Sequence, residues 1–358
     1  MAELPFARRA IAFLAGFLSD SLCLRWFGLP SRVVSSQAAA EVKIVRQKKD
    51  HQLFELPHGL VWTRGAHLDR RHQLVEDFSH GIDRPMAWWF IRRRRFFPTI
   101  EQEKRRLFSL TGDAADNLYH WTFDILPRLQ LLQPEDLSSL RVLSPLKGAY
   151  HRTTLLAFGF REDQLIPLGK APFHQADQLW FAQTPRGVSA GNVRFIRELY
   201  TRMIPAGPGK PLRLYISRAK ATSRRIVGEA ELEEGLRQRG FQIAFFEELS
   251  FPEQLALMAR ATIIVAAHGA AWTLAVVAQP GTPVIEILPA AMEKDAPFNF
   301  HLYRHLCREI GLDYRAHLAS SAPRDVGTQK AQPKSQQSDI AISTPQLLTE
   351  IDACIAVH

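Results

Sequence analysis

The sequence predicts an α/β protein built from two Rossmann-like domains, on three observations. Residues 212–288 alternate short apolar runs with amphipathic helical stretches, the pattern of a parallel sheet covered on both faces. Residues 107–204 show a similar alternation, less regularly. Between them, Pro205-Ala206-Gly207-Pro208-Gly209-Lys210-Pro211 interrupts regular structure and marks the boundary. A chain of 358 residues is long enough for two domains, each with its own core.

In the first half, β-like runs fall at residues 42–45, 60–63 and 87–91, separated by polar and proline punctuation. A short strand at 107–110 follows. Residues 116–132 then read as a helix, because Leu118, Trp121, Ile125 and Leu129 recur at helical spacing. Strands are expected at 141–143, 164–168 and 178–182, and helices at 149–158 and 189–204. In the second half, a strand at 212–217 leads to a helix at 229–239, closed by Gly240. A strand at 241–245 precedes Ser250, which opens a helix with Glu253 three residues later and Pro252 in the first turn, a capping box. Strands at 262–266 and 283–288 flank a short helix at 270–278, ended by Pro280-Gly281. A last helix is expected at 345–357. The expected organisation is therefore an N-terminal helical segment 1–30, an α/β domain 31–204, a linker 205–211, and a ligand-binding Rossmann-like domain 212–318. A flexible linker 319–340, rich in Ser, Gln, Pro and Lys, and a C-terminal helix 341–358 complete it.

A net charge of +9 points to an anionic partner: nucleic acid, phospholipid or a phosphorylated substrate. Three scattered cysteines without a CxxC pair argue against a disulfide framework and a structural zinc site. No run reaches the ~20 apolar residues that span a bilayer. Residues 6–27 carry a shorter apolar run after Arg8 and Arg9. It reads as a packed helix, an interfacial amphipathic helix or a signal peptide. The stretch Trp88-Trp89-Phe90-Ile91-Arg92-Arg93-Arg94-Arg95-Phe96-Phe97 suits a phosphate-rich surface, or is a strand with a solvated basic end.

In parallel sheets ligands bind beyond the carboxyl ends of the strands. One such end is Ser217-Arg218, with Arg224 and Arg225 close behind. Guanidinium groups suit a diphosphate, although a basic surface loop would look the same. Another is His268-Gly269-Ala270-Ala271, where small residues at a strand-to-helix turn let phosphate approach backbone N–H groups. Glu286 lies within an apolar strand. It would be satisfied by ribose hydroxyls or by a buried ion pair. In the first half, His120 and Asp124 are four residues apart and share a helix face, with Asn117 one turn before. Such a pair can deprotonate a hydroxyl, or can simply be an internal hydrogen bond.

Taken in order, these pieces resemble glycosyltransferase family 61. The matching residues are Asn117-x-x-His120-x-x-x-Asp124-x-Leu126-Pro127-Arg128, Ile216-Ser217-Arg218 with Arg225, Glu229, Leu249-Ser250-Phe251-Pro252-Glu253-Gln254, His268-Gly269-Ala270-Ala271 and Val284-Ile285-Glu286. The resemblance implies a GT-B-like fold, with two parallel sheets facing a central cleft. It implies an inverting, metal-independent enzyme of bacterial capsular polysaccharide biosynthesis that uses a nucleotide-sugar, usually a UDP-sugar, as substrate and needs no cofactor. The acceptor would be a saccharide or a lipid-linked saccharide. The expected location is cytoplasmic, with peripheral association at an anionic membrane and no nucleic-acid partner. Asp124 and His120 would be catalytic. Ser217, Arg218, Arg225, His268, Gly269, Ala270 and Glu286 would bind the donor, with Asn117 and Arg128 on the acceptor side. Two positions depart from the family pattern: Gly228 and Leu274 stand where Asn is common. A sugar-nucleotide epimerase of similar fold, and a basic nucleic-acid binder, are the competing readings.

Overall fold

The computed structural model describes residues 42–62, 65–70, 75, 100–112, 114–169, 173–207, 209–221, 223–322 and 338–357. The expected segment 1–30, the strand at 87–91 and the 88–97 cluster lie outside the described residues, as does most of 319–340. The described chain is a mixed α/β protein with two sheets, each containing parallel strands.

It divides into two compact units. One comprises residues 1–115, 128–146 and 160–185; the other comprises 116–127, 147–159 and 186–358. The division does not run at 205–211. Segments 116–127, 147–159 and 186–204, expected in the N-terminal domain, pack with the C-terminal sheet's unit. Tyr200, for example, sets its buried hydroxyl against Thr122 at 2.7 Å and its ring edge against Phe251.

The first unit's strands are β1 (Lys43–Lys48), β2 (His51–Pro57), β3 (Leu60–Trp62), β4 (His67–Leu68), β5 (Ile100–Ser109), β6 (Leu140–Ser144), β7 (Leu165–Pro167) and β8 (Phe173–Gln183). The order β1-β2-β8-β5-β6-β7 is parallel only from β8 to β7. The first four strands pair antiparallel, which corrects the expectation of a fully parallel sheet. The reason is local: Lys49-Asp50 leaves two residues between β1 and β2, enough for a hairpin and far too few for a crossover. Phe54, Leu56, Leu107, Leu143, Leu179 and Phe181 form this unit's core.

In the second unit, β9 (Leu212–Ile216), β10 (Ile226–Val227), β11 (Phe241–Ala244), β12 (Ala261–Ala267), β13 (Pro283–Pro289), β14 (Asp313–Ala322) and β15 (Asp339–Ala341) pair in the order β10-β15-β14-β13-β12-β9-β11. From β14 to β11 every pairing is parallel. The helices are α1 (Ala149–Phe158), α2 (Ala190–Thr201), α3 (Glu229–Arg237), α4 (Phe251–Arg260), α5 (Pro297–Ile310) and α6 (Thr344–Val357). Alternation along β12 and β13 sends Ile263, Val265, Ile285 and Ile287 into one core with Leu232 and Leu236 of α3 and Leu347 and Ile351 of α6. Helix α4 packs on β9 and β12. Its capping box is present: Glu253 accepts from both the backbone N–H and the hydroxyl of Ser250. Among the described residues no helix is long and apolar enough to cross a membrane.

Two further expectations are corrected here. Residues 116–132 form one α turn, Leu118–His120, then a widened π-type stretch, Trp121–Ile125, then tight 3-10 turns, Leu126–Leu131. Pro127 lacks an N–H and crowds the carbonyl four residues back, so a regular helix cannot run through it. Residues 319–322 continue β14, and 339–341 form β15 against them, so the ends of the expected linker 319–340 are strand. Helix α5 and most of β14 were unread, because their polar composition hides the alternation.

Replacing Ile285 with Ala, at 1% exposure in the α3–α6 core, leaves a cavity that only partly collapses. Urea denaturation should show a loss of about 2–5 kcal/mol with the m-value unchanged. A loss below about 1 kcal/mol would contradict this packing.

Candidate active site

All but one of the site residues read from the sequence fall in the second unit. Strands β9 and β12 are neighbours and parallel, so their carboxyl ends, Ser217-Arg218 and His268-Gly269, lie side by side. The Ser217 hydroxyl accepts from the Ala219 N–H at 3.1 Å and shapes the loop that leaves β9. The Arg218 guanidinium donates to the Ser223 carbonyl through Nη2 at 2.7 Å, which leaves Nη1 beside Gly269. A β-carbon on Gly269 would come within 2.6 Å of that Nη1. Gly269 is extended (φ 172°), so it is needed for space and not for backbone freedom. Ala270 opens a 3-10 helix, Ala270–Val277, instead of an α-helix.

Arg224 is the basic residue that joins Arg218. Its charge bears on Arg218, and it in turn feels Glu286 and Tyr303. Burial pushes both guanidinium groups below their ordinary value, and mutual repulsion adds to the effect at Arg218. The Arg224 Nε is buried with no acceptor among the described residues. Arg225 differs from its expected role. It is exposed, its backbone N–H donates to Asp339 at 3.0 Å, and its guanidinium pairs with the same carboxylate. It joins β10 to the β15 region and is no part of the cluster.

Glu286 also differs. At 0% exposure it has both oxygens engaged: Oε1 with His268 Nδ1 at 2.6 Å, and Oε2 with the Tyr314 hydroxyl at 2.7 Å. It supports His268 from below, and presents no oxygen to a ribose. Among the described residues, the buried carboxylate with an unpaired oxygen is Glu229. Its Oε1 accepts from the Tyr215 hydroxyl and the Arg218 N–H, while its Oε2 is buried and unpaired. Gly228, just before it, is left-handed (φ 74°), a conformation open to Gly and Asn, which explains that departure from the family pattern. Leu274 is wholly buried in the core, so this departure places no side chain at the site surface.

His120 and Asp124 do form a pair, Nδ1 to Oδ2 at 2.7 Å. The other Asp124 oxygen accepts from the Gly187 N–H at 2.7 Å, and Arg186 stands 3.6 Å from Oδ2. Burial alone would raise the Asp124 pKa. The hydrogen bonds from His120 and Gly187 and the charge of Arg186 outweigh it and hold the carboxyl below its ordinary range. His120 itself is one-third exposed. Asn117 caps the α turn by accepting from the Tyr119 N–H. Its side chain therefore serves the helix start that aims His120. Arg128 belongs to the other unit, where its guanidinium donates to the Thr111 carbonyl at 2.8 Å.

Two aromatic rings link the two histidine–carboxylate pairs. Tyr119 stands edge-on to His120 at 5.4 Å and to Tyr303 at 6.3 Å, and Tyr303 lies 5.2 Å from His268. Burial raises the pKa of both phenols, so both stay neutral. Arg186, Tyr303 and Tyr314 were not singled out from the sequence. Arg224 was read there beside Arg225, but only Arg225 was carried into the expected donor site.

A family model described as Glycosyltransferase 61 matches residues 118–285. This part of the chain belongs to glycosyltransferase family 61. The matched segment carries both histidines, Arg218, Arg224 and Asp124, and the match indicates a glycosyltransferase. Among curated proteins none matches the chain.

The transferase's Asp124 gives a pH signature. Its folded pKa lies below the unfolded value, so its contribution is complete above about pH 5 and is lost as pH falls through the unfolded and then the lowered folded value. Asp124→Asn should therefore cost about 1–3 kcal/mol at pH 7. The gap from wild type should hold down to about pH 5 and narrow in more acid solution. Urea midpoints taken from pH 7 to pH 3 check this, and a gap constant over the whole range would contradict it.

Proposed function

We propose that this glycosyltransferase is an inverting enzyme that moves a sugar from a nucleotide-sugar, a UDP-sugar first, to a saccharide or lipid-linked saccharide acceptor in polysaccharide biosynthesis. The observation that carries the proposal is the convergence of Arg218, Arg224 and the His268–Gly269 turn at adjacent strand ends. Two partly buried guanidinium groups that repel one another need an anion, and a diphosphate supplies two or more charges there. Charge so preorganised stabilises the departing diphosphate more than the intact donor, which lowers the barrier to displacement.

His120 is the general base of this scheme. A carboxylate held by two hydrogen-bond donors and a nearby guanidinium, and kept below its ordinary pKa, is a weak base, which disfavours Asp124 in that role. With Nδ1 bound to Asp124, His120 keeps Nε2 for the acceptor hydroxyl, and the carboxylate stabilises the imidazolium that forms. Attack on the face opposite the diphosphate, in a single displacement, inverts the anomeric centre. The apolar run at 6–27 and the basic cluster at 88–97 support cytoplasmic work at an anionic membrane face.

Thermal shift with UDP, GDP, CDP and dTDP tests the donor site. One of the four should raise the melting temperature. Arg218→Ala and Arg224→Ala should abolish the effect, and Arg225→Ala should keep it. Gly269→Ala should keep the fold yet weaken nucleotide binding about tenfold or more, because the new methyl displaces Arg218. No stabilisation by any nucleotide would overturn the proposal. His120→Ala should bind nucleotide normally and lose about 10²–10⁴-fold in transfer rate; a smaller loss would remove it as base. Product formed from donor without acceptor would turn the reading to an epimerase.

A further inference from the structure

The second histidine–carboxylate pair is deeper than the first and more fully enclosed. Glu286 sits on β13 between Ile285 and Ile287, opposite Ala266 of β12 and Ala316 of β14. An ionised carboxylate at zero exposure persists only when its oxygens are hydrogen-bonded. The Tyr314 phenol is the donor on one side: burial and the Glu286 charge keep it protonated. On the other side a carboxylate has no proton to give, so His268 Nδ1 must carry the hydrogen of the 2.6 Å contact. The tautomer of His268 is thereby set, and Nε2 is the ring nitrogen left for a ligand.

A phosphate oxygen only accepts hydrogen bonds. A neutral His268 with its proton on Nδ1 would turn a lone pair toward it. We propose that Nε2 takes up one proton from solvent as the donor's diphosphate binds, so that His268 acts as a cationic hydrogen-bond donor to the departing phosphate, with Glu286 and Tyr314 as the positioning residues that impose this. The proton is released again when the nucleoside diphosphate leaves. This inference rests on the donor-site reading above.

The charged and titratable groups around the ring agree with the sequence of events. Arg218, whose Nη1 lies beside Gly269, and Arg224, in the same loop after β9, are the cations that a second proton on His268 would add to. Glu286 on β13 favours it. Tyr303 and Cys307 on α5, Tyr119 before it and Tyr314 on β14 all have pKa values raised by burial and stay neutral near pH 7. An incoming diphosphate cancels the charge of the two guanidinium groups.

The test is titration calorimetry of the whole protein with UDP, or with whichever of the four diphosphates stabilises it. Binding heats are compared in buffers of different ionisation enthalpy at pH 7 and pH 8. The wild type should take up a measurable fraction of a proton, and its affinity should fall by up to about tenfold per pH unit on the alkaline side. In Glu286→Gln the amide can donate to Nδ1, which moves the ring's own proton to Nε2. Binding should then persist without proton uptake, a change that a merely structural role would not produce. His268→Gln should lose the uptake as well. Tyr314→Phe removes one donor from Glu286 and should move the pH at which affinity falls upward, which keeps the test open if Glu286→Gln does not fold. Nucleotide binding without uptake, uptake that survives in His268→Gln, or a pH midpoint unmoved in Tyr314→Phe overturns the inference while leaving the donor site standing. No binding of any nucleotide to the wild type overturns both.

Discussion

The arrangement turns on one close approach, the Arg218 guanidinium lying against a residue without a side chain, Gly269. Both sit just beyond the ends of adjacent parallel strands, β9 and β12, which the sheet fixes in register. Because the strands are parallel, both ends open on the same edge, and the loop after β9 can return a second arginine, Arg224, to the same place. The loop is tied at three points: Arg218 binds the Ser223 carbonyl, Glu229 holds the Arg218 N–H, and Ser217 holds the Ala219 N–H. Two partly buried cations are thus kept together by backbone and sheet, without a carboxylate among the described residues to neutralise them at hydrogen-bond distance. That imbalance is unfavourable for folding and useful for holding an anion.

Around this cluster the protein sets two histidines in contrasting surroundings. His120 is one-third exposed and leans on a carboxylate fixed by a backbone N–H and by Arg186. His268 is buried, and its carboxylate is enclosed. The same pairing in different degrees of burial suits different tasks, accepting a proton in one case and donating a hydrogen bond in the other. Tyr119 and Tyr303 fill the space linking the two rings with neutral aromatic surface. The π-type stretch at Trp121–Ile125, set up ahead of Pro127, places Asp124 within reach of the loop at Gly187.

Much of this was legible in the sequence, and the failures have physical reasons. The alternation in 212–288 gave β9, α3, β11, α4, β12 and β13 to within a few residues, since buried parallel strands are near-continuous apolar runs; the two-residue β10 was too short to read. The His120–Asp124 and Ser217-Arg218 readings came from spacing and from strand ends, both local properties. Arg225 was chosen over Arg224 because neighbours in sequence look alike until a backbone hydrogen bond, here to Asp339, decides which one turns outward. Glu286 was read as a ligand residue because a lone carboxylate in an apolar strand announces burial but not its partners. Those partners, His268 and Tyr314, lie 18 and 28 residues away. Strand β14 escaped notice because half of its residues are only partly buried and its alternation is weak. The split of residues 116–204 between two units depends on long-range packing, which no local pattern reports.

The central claim, that the donor's diphosphate rests on the Arg218–Arg224–His268 cluster, is most directly tested by amide hydrogen exchange with and without saturating UDP. The account predicts slowed exchange confined to residues 218–224 and 269–272, the loop after β9 and the turn after β12. Saturated binding with unchanged exchange at both segments would contradict it.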